Sequence, residues 1–216
     1  MKRYLPILLC SLYIISCASD ADTHKVSSDL GVDKKEEKVN RSIELVPEPD
    51  ILLRLKNQQA IIDSAISKKE FELKILVKEV GKAELTTVLN EVWPDNVEIT
   101  FNVWKDAKGD IKQIGEYPFS ESGDWFIGYV HYFDNLGKTF AFERSTNFFN
   151  SICTDDIAFE KIIEYYNRDF NRVDRFYSLT NSEGQKLNEE ACTFTYDYPY
   201  DVSKDLVHYS MYKNIR

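Results

Sequence analysis

His131 is followed by Asp134 and Glu143, and a histidine flanked by carboxylates can act as a general base or hold a metal ion. No His-x-x-His or Glu-x-x-His spacing accompanies it, so a structural histidine, half-buried in a strand, is the preferred reading. Glu116, Glu121, Asp124 and Glu143 could supply the carboxyl pair of a sugar hydrolase, which needs two such groups at a set separation across a cleft. With 36 acidic residues in 216, chance pairs are expected, and these four argue weakly. No serine lies in a nucleophile-elbow pattern, and no glycine-rich phosphate loop is present. The sequence therefore predicts no catalytic residue, no metal site and no cofactor. Aromatic side chains are the remaining chemistry. Trp104, Tyr117, Trp125, Tyr129 and Tyr132 would form an exposed sheet surface able to anchor a protein or stack on sugar rings.

These residues need a rigid element to present them, and turn spacing supplies one. Asp106-Ala107-Lys108-Gly109, Ser120-Glu121-Ser122-Gly123 and Asp134-Asn135-Leu136-Gly137 begin 14 residues apart. A short polar side chain bonds the turn backbone, and glycine takes the left-handed position that follows. The segments between them predict a four-stranded antiparallel meander over 97–105, 110–119, 124–133 and 138–147. Strand 97–105 alternates, with Val97, Ile99, Phe101 and Val103 on the packed face. A bulge is expected at Ile114-Gly115.

Helices are expected on either side. Ile51, Leu52, Leu55, Ile62, Ala65 and Ile66 mark an amphipathic helix capped by Asp50. A second helix is read over 70–92, although Phe71, Leu73, Ile75 and Val77 also alternate as a strand would. After the meander, Ile157, Phe159, Ile162, Ile163 and Tyr166 suggest a short helix. Strands at 175–180 and 192–198, joined through the turn Asn181-Ser182-Glu183-Gly184, and a last helix at 202–212 complete the chain. The expected fold is α+β: N-terminal helices packed on a four-stranded antiparallel meander, with a C-terminal helix–hairpin–helix unit. That layout is similar to several cystatin-like and inhibitor-like folds, an analogy that assigns no function.

The N-terminus supplies an address. Lys2 and Arg3 precede an apolar run from Leu5 to Ile15, too short to span a bilayer and of the right length for an export signal. The run ends in Ile14-Ile15-Ser16-Cys17, which resembles the lipobox of bacterial lipoproteins. The resemblance implies cleavage after Ser16 and acylation of Cys17, and so attachment to a lipid bilayer. Ala18 is not the aspartate that retains such proteins at the inner membrane, so the implied location is the cell envelope, at the outer membrane. Three segments follow: a signal peptide at 1–16, lipidated Cys17 with a polar tether at 17–46, and a single domain at 47–216. Such a tether spans about 30 Å.

Cys10 would leave with the signal and Cys17 would carry lipid, so Cys153 and Cys192 remain to form one disulfide. Loss of residues 1–16 removes two cations and no acid, taking the net charge from −9 to −11. That argues against nucleic acid as a partner and favours a basic protein, with a glycan as the alternative. The expectation is an envelope-tethered domain that binds another macromolecule and could inhibit a basic enzyme or toxin. Its rivals are a carbohydrate-binding accessory protein and a hydrolase using carboxylates of the meander.

Overall fold

In the computed structural model the residues described are 50–149, 151–192 and 200–215. Cys17, the tether and the strand expected at 192–198 (bar Cys192 itself) lie outside them. The described chain begins with helix α1 (Ile51–Ser67) and continues into strands β1 (Glu72–Glu79), β2 (Leu85–Thr87) and β3 (Val97–Lys105). Then come β4 (Ile111–Pro118), β5 (Trp125–Phe133), β6 (Thr139–Phe148), β7 (Ala158–Tyr166) and β8 (Arg172–Thr180). A 3-10 turn at Glu189–Ala191 precedes the last helix, α2 (Leu206–Lys213). The strands form one antiparallel sheet in the order β2-β1-β3-β4-β5-β6-β7-β8.

The expected fold is thereby corrected. Among the described residues the sheet has eight strands rather than four, one helix rather than several precedes it, and no helix–hairpin–helix unit closes it. Residues 70–92 are not helical, because the alternation of Ile75 and Val77 wins once β3 and β2 pair on either side of β1. Gly81, at φ +77°, then turns the chain. The helix expected near 157–166 is strand β7. An interior strand with packing on both sides carries apolar residues at both parities, which imitates helical spacing. Ala158 and Ile162 are buried on one side and Tyr165 on the other.

The turns explain why the meander extends so far. At Asp106 and Asp134 the Oδ1 atom accepts two backbone N–H groups, and the main chain closes onto a glycine in the left-handed region. Asn181 repeats the pattern. The β7–β8 turn is the same device built on Asn167, with Phe170 at φ 62° where the others have glycine. A side chain there is strained. Stacking of the Phe170 ring on Tyr166, centroids 4.5 Å apart, offsets part of that strain. Register shifts of the bulge type lie beside the Asp106, Asp134 and Asn167 turns. The bulge expected at Ile114-Gly115 is absent: both residues pair in continuous register with Val103 and Asn102. Glycine stands at 115 because the Tyr117 ring lies against it.

Both faces of the sheet are covered in its middle. On one, α1 lays Leu55 and Ile62 over Tyr132, Phe140 and Tyr165. On the other, residues 200–215 cover the sheet, with Tyr209 of α2 packed on Phe101, Ile114 and Phe133. Each such aromatic contributes about 2–3 kcal/mol by leaving water. Asp50 makes no side-chain cap on α1, whereas Asp205 caps α2 by accepting the His208 N–H at 2.9 Å. Cys153 and Cys192 form the expected disulfide, closing a separation of 39 residues.

Candidate functional site

The five aromatics do not share a surface. Cross-strand register puts Trp104, Tyr117 and Tyr132 on the face carrying α1, and Trp125 and Tyr129 on the opposite one. Trp125, Tyr129 and Tyr132 are buried, and Trp104 and Tyr117 are half-buried. The expected exposed platform is absent because β4, β5 and β6 are interior strands with cover on both sides. Tyr132 donates its hydroxyl to Asp63 of α1 at 3.0 Å, and Tyr165 donates to Gln59 at 2.7 Å. Burial, against the hydrogen bond from Tyr132, raises the Asp63 carboxyl above the usual range, and nearby Glu143 adds to the shift. Burial likewise raises the Tyr132 hydroxyl far above its ordinary value. This is the seam that holds the helix to the sheet.

The titratable groups singled out from sequence are similarly engaged inside the fold. His131 is 2% exposed and points away from α1, among Phe133, Phe142 and Tyr209. Its Nε2 accepts the Ser203 backbone N–H at 3.2 Å, so the neutral ring carries its proton on Nδ1. Burial, reinforced by the Lys213 charge, pushes its pKa down to about 3. Glu143 lies on the other face of the sheet, held by Lys161 at 2.8 Å and by the Ser145 hydroxyl at 3.0 Å. It therefore forms no cluster with His131. Glu116 shares the His131 side, where it accepts from Lys213 at 2.6 Å and from the Tyr209 hydroxyl at 3.1 Å. Glu116 and Glu143 thus cannot flank one substrate. Glu121 is exposed in its turn, and Asp124 accepts from Ser122.

The structure instead gathers residues that sequence reasoning did not single out. A cleft of about 440 Å³ opens where α1 meets the turn end of the sheet. Leu55 and Ile62 of α1, Phe71 before β1, and Phe133 and Phe140 beside the Asp134 turn give it an apolar lining. The bulge beside that turn, where Tyr132 pairs with Ala141 but Phe133 with Thr139, accompanies the packing of Phe140 beneath α1. Four cations also line it: Arg54 of α1, Lys112 of β4, Lys138 before β6, and Arg168 in the β7–β8 turn. Asp134 is the single carboxylate among the lining residues, and its Oδ1 is occupied by the N–H groups of Leu136 and Lys138. Lys112 is paired with Asp106 at 3.3 Å and Asp110 at 3.5 Å, and Lys138 with Asp205 at 3.1 Å. Arg54 and Arg168 make no ion pair among the described residues. The faint signal in the sequence is that Lys112 and Lys138 each follow an Asp-initiated turn.

Comparison with protein-family models, curated proteins and solved structures finds no match to this chain.

Proposed function

We propose that this chain is an envelope-tethered lipoprotein, anchored through acylated Cys17, whose folded domain binds another macromolecule and performs no catalysis. The single observation that supports a binding role is the cleft: a concave, apolar-lined and cation-rimmed hollow on a domain whose chain carries net negative charge. The acidic remainder of the surface steers a basic partner toward the domain, and the cation-rimmed cleft seats an apolar or carboxylate-bearing segment of that partner. Inhibition of a basic enzyme or toxin suits the net negative charge of the chain. A glycan-binding reading loses its support with the burial of Trp125, Tyr129 and Tyr132. A hydrolase reading loses its own with Glu116 and Glu143 on opposite faces.

Two measurements test this. Cells fed an alkyne-bearing fatty acid should label the chain, and Cys17→Ala should abolish the label and release the protein from the membrane fraction. Capture by the full chain from envelope and culture extracts should retain one specific basic protein at low salt and shed it as salt rises. Recovery of polysaccharide alone, or of nothing, counts against a protein-binding role.

A further inference from the structure

We infer that the cleft is a recognition site for an amphipathic carboxylate, an apolar body ending in one carboxyl group. The inference rests on the binding reading above and names the chemistry of that site. The charge census carries it. The chain has nine more acidic than basic residues, yet this one hollow collects four cations against one carboxylate. Two of the cations, Lys112 and Lys138, are neutralised by aspartates of the fold. Arg54 and Arg168 are exposed, and no described carboxylate neutralises them. A guanidinium is the side chain best suited to grip a carboxylate with two parallel hydrogen bonds.

The remaining lining sets the rest of the ligand. Phe71 and Phe140 line the apolar interior, and Ile61 and Leu136, both largely exposed, offer apolar surface at the rim. A fully hydrated dianion such as phosphate would gain nothing from those walls. An aliphatic or aromatic body would bury them. A volume near 440 Å³ suits a body of medium-chain or dipeptide size rather than a long lipid. Two sources share this chemistry: a free organic acid, and the C-terminus of a protein ending in apolar residues.

Calorimetric titration of the full chain separates them. The probes are decanoate below its micellar concentration, decanol, and a hexapeptide ending in Leu-Phe in its free-acid and amidated forms. Binding of decanoate or of the free-acid peptide, without binding of the matched neutral analogue, is the expected result. Decanoate alone would identify a free amphipathic acid, and the peptide alone a protein terminus. The double substitution Arg54→Ala/Arg168→Ala should weaken binding about tenfold or more, at an unchanged unfolding midpoint. Equal binding of the neutral analogues, an unaffected double variant, or no binding of either acid overturns the inference. In the last case the capture experiment still decides separately whether the domain binds a macromolecule.

Discussion

Acidification should destabilise the domain through His131. The unfolded chain binds a proton at His131 near the ordinary pKa of 6.5, whereas the folded chain resists until about 3. Between those values the unfolded state holds more protons, so stability falls as pH falls through this window. Each pH unit within it is worth about 1.4 kcal/mol, so passing from pH 7 to pH 5 should cost about 2 kcal/mol. The loss has a structural cause: a charged imidazole among Phe133, Phe142 and Tyr209 has no counter-ion among the described residues, and its Nε2 could no longer accept the Ser203 N–H. Urea unfolding at pH 7, 6 and 5 would measure the loss in the native chain and in His131→Gln, whose amide oxygen can replace the Nε2 acceptor. The variant should be less stable at pH 7, with this part of the pH dependence gone. An equal drop in both proteins would refute the argument, as would an imidazole resonance of folded His131 titrating near 6.5.

Three other perturbations follow from contacts described above. Lys213→Ala leaves the Glu116 carboxylate buried without its cation and should cost about 3 kcal/mol in urea unfolding, with Glu116→Gln in the same chain restoring part of it. Cys153→Ser opens a loop spanning 39 residues and should cost about 4 kcal/mol by chain entropy, an effect that reductant reproduces in the native chain but not in the variant. Gly115→Ala drives a methyl into the Tyr117 hydroxyl and should cost about 1–3 kcal/mol. In a Tyr117→Ala background the same change should be nearly neutral, and equal costs in both backgrounds would exclude that ring as the cause.

What the sequence reveals of this fold follows the local chemistry of its turns. Asp106 and Asp134 announce hairpins, and Asn181 a turn after the last strand, because glycine stands three residues on, in the left-handed region. The Asn167 hairpin makes the same hydrogen bonds with Phe170 in that place, so no local pattern marks it, and β7 passes for a helix. In β1 two periodicities coexist, and only the partners on either side decide between them. Burial of Trp125 and Tyr129 is equally hidden, since it depends on residues 200–215 returning across β5 and β6. The cleft is the least visible feature. Arg54, Lys112, Lys138 and Arg168 lie far apart along the chain, and only hairpin register brings their ends of the sheet together under α1.

Strand order here nearly repeats chain order: only β1, lodged between β2 and β3, departs from it. A sheet assembled from sequential neighbours has low contact order for an all-antiparallel topology, so its hairpins can zip in the order in which they emerge from a channel or ribosome. The segment at 200–215 follows all eight strands, and it seals Phe101, Ile114 and Phe133 from water. Until it docks, the nascent domain is a nearly finished sheet with one oily side bare. Truncation before residue 200 would therefore leave that apolar side uncovered, and residues 200–215 act as the latch that closes it.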